Sequence, residues 1–421
     1  MFWQNLENKV IGIWGMGKEG LAVHKTLGDR LHQTTIKLIN EDNLADINNC
    51  DIVIKSPGVS IYRQEIVQAK EKGIKFTSSS NLFLSNRRKE TKVVAITGTK
   101  GKSTTSSLLA HTLQHLRIKA DLGGNIGKPL VELCDSDAEW VVAEMSSYQC
   151  ADLQGAADIG ILLNLYPEHL QWHGSHQRYY ADKLNMIKQA NIKIINKIDA
   201  RSSELAHFTD AVYFNDEKAV HIKNGFFYDG TTRLFACENL PLLGAHNMQN
   251  ACAVLSAVKI IGGNLSECAE AFASFKGLEH RLEIIGEYNG LTFVDDSIST
   301  TPETAIAALK ALDKGQNLTL LAGGFDRGQD YAELIDYVSK IKDRCKIITL
   351  PDTGERIAQA AQGKITIKRA QNIKQAVELA FEITPNKGTV ILSPAAPSYN
   401  CYKNFAERGE DFANCIKSLA K

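Results

Sequence analysis

Lys92-Val93-Val94-Ala95-Ile96-Thr97-Gly98-Thr99-Lys100-Gly101-Lys102-Ser103-Thr104 decides the fold: a β-branched run, a glycine-rich turn, then a lysine and two hydroxyls opening a helical pattern. A turn of this kind between a parallel strand and a helix presents consecutive backbone N–H groups to phosphates. Lys102 then reaches the terminal phosphates, and a following hydroxyl takes magnesium. The strict GxxxxGK[ST] pattern is missing its first glycine, because Ile96 stands there. Gly98, Thr99, Lys100, Gly101, Lys102, Ser103 and Thr104 are therefore the candidate contacts to a nucleoside triphosphate. Beyond the turn, Leu108, Leu109, Leu113 and Leu116 share one face of a helix starting at Ser103.

Working outward, short β-branched runs alternate with helical patterns along nearly the whole chain, the signature of an α/β fold with parallel sheets. Strands are expected at Val10–Trp14, Ile36–Asn40, Asp51–Lys55, Lys92–Thr97, Trp140–Ala143, Ile159–Leu163 and Lys193–Asn196. Further strands are expected at Leu291–Val294, Leu318–Ala322, Lys346–Leu350 and Thr389–Leu392. At 421 residues the chain suits three domains. They read as residues 1–89, 90–282 and 283–421, with the polar stretch Ser85–Thr91 as a linker.

Composition bounds the partners. Lys plus Arg and Asp plus Glu both total 48, so no basic excess attracts nucleic acid or an acidic membrane. Anionic ligands must be held by local donors. The N-terminus lacks a basic segment followed by a long apolar stretch, and no apolar run approaches the ~18 residues of a membrane span. Nine cysteines without a CxxC pair point to reduced thiols and a cytoplasmic location.

Several strand ends carry chemistry. Gly15-Met16-Gly17-Lys18-Glu19-Gly20 follows a strand, and Glu41 follows the next one, which by spacing is a dinucleotide fingerprint. Its glycines let backbone N–H groups approach any pyrophosphate, that of NAD or of a nucleotide sugar. Glu144 ends the apolar strand Trp140–Ala143, where a carboxylate points at the ligand crevice and suits magnesium. His169 follows the run at 159–165, and by spacing alone Lys183 reads as an ordinary lysine on a helix surface. Asn196-Lys197-Ile198-Asp199 and Asp152-Leu153-Gln154-Gly155 imitate the guanine-reading and switch motifs of a GTPase. A GTPase would leave the flanking domains unexplained, and its switch acid does not correspond to Glu144. Downstream come His246-Asn247-Met248-Gln249-Asn250, His280-Arg281, Asp295-Asp296-Ser297 and Leu392-Ser393-Pro394-Ala395-Ala396-Pro397-Ser398.

That ordered set resembles the Mur ligase family over nearly the whole chain, most closely its glutamate-adding branch. The resemblance implies a Rossmann-like UDP-binding domain, a central phosphate-loop ATPase domain and a Rossmann-like C-terminal domain. It implies an enzyme, a monomer, that uses ATP and two magnesium ions to join D-glutamate to UDP-N-acetylmuramoyl-L-alanine through an acyl phosphate, in peptidoglycan synthesis. L-glutamate is the alternative amine. By position, Lys102 would bind ATP phosphates and Ser103 with Glu144 would hold one magnesium. His169 and a carbamylated Lys183 would hold the other, since magnesium prefers hard oxygens. Asn250, Arg281 and Asp296 correspond to nucleotide contacts. Gly15, Met16, Gly17, Ser56, Asn125 and His169 correspond to contacts with the UDP-substrate. Thr300, Arg327, Ser398 and Phe405 correspond to contacts with glutamate. The sequence departs from the family at Ile298 and Arg327, where lysines are usual, and at the segment Ser78–Phe83. The first two departures lie where the amino acid is expected.

Overall fold

The computed structural model describes residues 2–166, 168, 170–199, 208–242 and 244–420. They form two compact units, Met1–Lys276 and Gly277–Lys421.

The first unit holds two parallel sheets. One runs β2-β1-β3-β4, from β1 (Val10–Trp14), β2 (Thr35–Ile39), β3 (Ile52–Lys55) and β4 (Lys75–Thr77). The other runs β10-β9-β8-β5-β7-β6. It is built from β5 (Lys92–Thr97), β6 (Ala120–Gly124), β7 (Trp140–Glu144), β8 (Ile159–Leu162), β9 (Ile192–Asn196) and β10 (Val212–Phe214). A three-stranded antiparallel meander, β11 (Val220–Lys223), β12 (Phe226–Asp229) and β13 (Thr232–Ala236), completes this unit.

Strand β5 lies in the middle of its sheet and is buried on both faces, hence its continuous apolar run. Alternate side chains go to opposite sides. Val93 and Ala95 join a core that also takes Ile11, Ile13, Ile52 and Ile54 from the first sheet. Val94 and Ile96 join the core formed with the helices Lys102–His115 and Ala245–Ile261. There Leu108, Leu109 and Leu113 are buried, as their spacing predicts, and each such side chain contributes roughly 1.5–3 kcal/mol of burial.

The second unit has one sheet, β14-β15-β19-β16-β17-β18. Its strands are β14 (Glu283–Tyr288), β15 (Leu291–Asp295), β16 (Leu318–Gly324), β17 (Cys345–Asp352), β18 (Ile367–Arg369) and β19 (Thr389–Leu392). All neighbours are parallel except β14, which pairs antiparallel with β15.

One expectation is corrected here. The segment Ser85–Thr91 is not a free linker. Ser85 and Asn86 end the helix Ser79–Asn86, Arg87 donates to the Leu84 and Thr91 carbonyls, and the Thr91 hydroxyl donates to the Ala138 carbonyl. Segment Ser78–Phe83 is likewise this helix with its Ser78 cap, and Leu82 and Phe83 are buried in the first core. Among the described residues, no helix is long and apolar enough to cross a membrane.

Candidate active site

The carboxyl ends of β5, β7 and β8 meet where the glycine-rich turn passes from β5 into the helix Lys102–His115. Gly98 (φ 156°) and Gly101 (φ 86°) take backbone conformations that favour glycine. A Cβ on Gly101 would lie 2.4 Å from the Asn250 side-chain nitrogen, so Asn250 seals one side of the turn. The turn is braced from β8's end: the Lys100 N–H donates to Asn164 Oδ1 (2.8 Å) and the Thr99 N–H to the Asn164 carbonyl (2.9 Å). Thr99 Oγ1 meets the Tyr179 hydroxyl at 2.9 Å, and Lys100 pairs with Glu168.

Two lysines converge on the same turn. Lys102 Nζ donates to the carbonyls of Gly98 (3.0 Å) and Thr99 (2.9 Å). Lys183 Nζ donates to Gly98 O at 2.7 Å from the other side. The surface position expected for Lys183 is therefore wrong, since it is 2% exposed. One helical turn either way, Tyr179, Tyr180, Met186 and Ile187 are all buried, so Lys183 sits in the middle of an apolar helix face. That pattern was readable in the sequence. Burial first, and the Lys102 charge second, pull its ammonium down to about 7.

Glu144, at the end of β7, is buried at 1% exposure. Its Oε1 accepts from Asn125 Nδ2 (2.9 Å), while its Oε2 has no hydrogen-bond partner among the described residues. A buried carboxylate oxygen left open beside a phosphate-type turn fits a hard cation. Ser103, in the first turn of the helix, supplies a hydroxyl on the same loop.

The fingerprint at Gly15–Gly20 folds as the spacing implies. Gly15 (φ 91°) turns the chain, and its carbonyl accepts the Ser56 hydroxyl at the end of β3. Gly20 allows a close approach: a Cβ there would lie 2.0 Å from that same carbonyl. Gly17 caps the helix Lys18–Arg30, and Met16 packs against the core. Glu41 is engaged elsewhere, clasped by the Arg63 guanidinium at 2.7 and 2.9 Å.

The GTPase imitation dissolves into structure. Asn196 accepts from the Ile198 N–H and from Asn215, and Asp199 caps the Leu165 N–H at 2.6 Å. Asp152 pairs with the buried Lys55 at 3.0 Å.

In the second unit, Asp296 at the end of β15 is 3% exposed, accepts from Ser393 Oγ (2.7 Å), and is raised by burial to about 6. Arg281 adds an opposing charge near it. Ser398 is buried and Phe405 opens the helix Phe405–Leu419. The buried Arg408 donates to the carbonyls of Ala396 and Ser297, stitching that helix to the strand-end loops. Arg327 is exposed, with its guanidinium 5.6 Å from the Tyr399 ring centre. The carbonyl of Thr300 accepts from Gln329. Of the sequence candidates, Gly98, Thr99, Gly101, Lys102, Lys183 and Asn250 gather around one turn. His169 lies outside the described residues.

Sequence reasoning missed a hydrogen-bond relay beside Lys183. Asp182 accepts from the Tyr62 hydroxyl (2.6 Å) and bonds His173 Nδ1 (2.5 Å), and His173 Nε2 meets Ser147 Oγ (3.0 Å).

A triphosphate-type loop with an open buried carboxylate oxygen beside it suits a nucleoside triphosphate and a divalent cation. Residues 96–258 match the Mur ligase middle domain, and residues 280–396 the glutamate ligase domain of Mur ligases. A UDP-N-acetylmuramoyl-L-alanine--L-glutamate ligase of a Micromonospora species is 34% identical, over 99% of this chain and 98% of its own. An enzyme of the same name from Xanthomonas axonopodis pv. citri is 35% identical, over 97% and 95%. Among solved structures, the UDP-N-acetylmuramate-alanine ligase of Thermotoga maritima superposes with a TM-score of 0.61 at 18% identity, over 97% of this chain and 99% of its own. The same organism's MurF ligase, in complex with ADP, gives 0.61 at 15% identity, over 100% and 98%. The protein is thus an ATP-dependent ligase that forms amide bonds. It belongs to the Mur ligase family.

Proposed function

We propose that this ligase joins L-glutamate to the L-alanine carboxylate of UDP-N-acetylmuramoyl-L-alanine, a step of peptidoglycan synthesis. The stereochemistry rests on the relatives at 34–35% identity over nearly the full chain, which carry the L-glutamate name. Arg327 and Ile298, which depart from the lysines usual in the family, are consistent with an altered amino-acid site. Residues 1–89 take the UDP-substrate, 90–282 the ATP and 283–421 the amino acid.

The observation that carries the chemistry is the open oxygen of buried Glu144 beside the Gly98–Thr104 turn. In this reading the turn's N–H groups and Lys102 hold the ATP phosphates, with Asn250 closing the turn. Ser103 and Glu144 hold one magnesium, and His169 with Lys183 the second. When bound, magnesium neutralises charge on the phosphate oxygens. The depressed Lys183 amine supports carbamylation: its lone pair adds to carbon dioxide and a proton leaves, so a cation becomes an anionic oxygen ligand. Gly15, Met16, Gly17, Ser56 and Asn125 hold the UDP-substrate. Arg281 and Asp296 contact nucleotide, and Thr300, Arg327, Ser398 and Phe405 receive glutamate.

A carboxylate is a poor electrophile because its leaving group would be oxide. Transfer of the ATP γ-phosphoryl to the alanine carboxylate gives an acyl phosphate and ADP. The glutamate amine then attacks the acyl carbon, phosphate departs, and the amine's proton is lost. Lys102 stabilises charge on the transferring group while the rest of the loop positions it.

Release of ADP from ATP, magnesium and UDP-N-acetylmuramoyl-L-alanine is the test, run separately with L- and D-glutamate. Release with L-glutamate alone supports the proposal. Release with D-glutamate alone keeps the ligase and overturns the stereochemistry. Release with neither overturns the substrate reading.

A further inference from the structure

Beneath the Gly15–Gly20 turn lies a cluster that the proposed chemistry does not use. Glu19, the second residue of the helix Lys18–Arg30, accepts from Gln149 Nε2 at 2.6 Å. Gln149 is half of a capping box: its Oε1 accepts from the N–H (2.8 Å) and hydroxyl (2.9 Å) of Ser146. Ser146 stands two residues beyond Glu144. On Glu144's other flank, the Asn125 N–H donates to the Glu144 carbonyl at 3.0 Å and its side chain to Oε1 at 2.9 Å. That loop is held from the same helical turn, by Lys18 Nζ on the Gly127 carbonyl at 2.6 Å. Adjacent residues Lys18 and Glu19 thus brace both loops that flank the open carboxylate.

We propose that the Lys18–Glu19 turn is a positioning element: through Gln149 and the Gly127 loop it ties the diphosphate-binding glycine turn to Glu144, so that seating the UDP-substrate and placing the magnesium acid are one event. This rests on the substrate reading above. Indirect holders of this kind set the geometry of a metal ligand rather than its identity, and their loss weakens activity by about 10–100-fold.

The charges around Glu19 give the coupling a signature. Facing it are Lys55 at the end of β3, Ser79 on the helix Ser79–Asn86, and Gln149 and Asp152 on or just beyond the helix Ser147–Ala151. Lys55 is already paired with Asp152, so a second acid has little cation left to itself. Burial accordingly holds the Glu19 carboxyl up at about 7. A diphosphate on the adjacent glycine turn adds negative charge and favours the protonated acid further. Binding therefore takes up a proton near neutral pH, and the KM for the UDP-substrate rises with pH.

Two variants of the full-length protein test this, E19Q and E19A. Calorimetry with UDP-N-acetylmuramoyl-L-alanine in buffers of different ionisation heat counts protons, and ADP release gives kcat and KM against pH. The wild type takes up a fraction of a proton on binding. E19Q takes up none and loses the pH slope of KM, but retains kcat because its amide oxygen still accepts from Gln149. E19A lowers kcat about tenfold. Equal proton uptake by E19Q and wild type overturns the inference, as does wild-type kcat in E19A. Should E19A fail to fold, E19Q still decides. A wild type that binds no UDP-substrate would instead overturn the reading beneath it.

Discussion

At the scale of single residues the site is defined by groups held where water cannot satisfy them. Lys183 is buried, with the Lys102 charge beside it, and so lies near its neutral form although the Gly98 carbonyl accepts from it at 2.7 Å. As a neutral amine it can take carbon dioxide; as an ammonium it would repel magnesium. Replacing Lys183 with Ala should lower kcat/KM at least ~100-fold, with no recovery on adding bicarbonate. Wild-type turnover at limiting bicarbonate should rise as pH passes upward through about 7, where the amine loses its proton. Full activity in the alanine variant, or an unchanged rate across that interval, would remove the carbamylated lysine from the mechanism. In the proposed reading, Arg327 is the matching residue on the amino-acid side. Arg327→Ala should raise the KM for glutamate more than tenfold and leave that for ATP unchanged, through loss of a charge-assisted contact to carboxylate; equal effects on both would mean a structural role.

At the scale of elements, the helix His176–Gln189 must present Lys183 to the turn, and Asp182 is one of the side chains that anchor it, with Tyr179, Asn185 and Gln189. Both Asp182 oxygens are used, one by Tyr62 and one by His173, and the group is buried. An amide there would offer the His173 ring or the Tyr62 hydroxyl a mismatched partner. Asp182→Asn should therefore destabilise the protein by roughly 1.5–3 kcal/mol, and Tyr62→Phe by about 1 kcal/mol. Chemical denaturation would show this, and a Tyr62→Phe loss as large as that of Asp182→Asn would contradict it. Legibility divides along similar lines. Strands buried on both faces, such as β5 and β19, are continuous apolar runs, and their expected limits are the observed ones. The meander β11–β13 and the three-residue strands β10 and β18 were not anticipated. Strands such as Phe226–Asp229 and Ile367–Arg369 are short, part-exposed and mixed in polarity, so no period stands out. The strand-end position of Glu144 was readable because it directly follows a continuous apolar run, and a parallel sheet sends its carboxyl ends to one side. Relay partners far apart in sequence, such as Tyr62 and Asp182, have no local pattern to announce them.

At the scale of the whole molecule, three buried groups, Lys183, Glu19 and Asp296, together oppose folding most strongly near neutral pH, where the enzyme's chemistry would run. The Lys183 ammonium titrates near 10.5 when unfolded and about 7 when folded. Between those values the unfolded chain holds the extra proton, so this lysine makes stability rise with pH above 7 and leaves it lowest below. Glu19 moves from 4.5 to about 7 and Asp296 from 3.8 to about 6. In those windows the folded chain holds the extra proton, so their contributions fall as pH rises and are gone by neutrality. Unfavourable burial from both signs of charge therefore overlaps around pH 7, and counter-charges from ligands would relieve it. Lys183→Met tests this without ligand. Methionine fills a similar volume without a charge, and Gly98 O keeps its second donor, Lys102. In carbon-dioxide-free buffer near pH 7 the variant should unfold about 2–4 °C above wild type while losing turnover, a trade of stability for function. The difference should shrink as pH rises from 7 toward 10.5, above which the wild-type lysine is neutral in both states. A methionine variant that unfolds below wild type at neutral pH would mean that the lysine's hydrogen bond to the turn outweighs the burial of its charge.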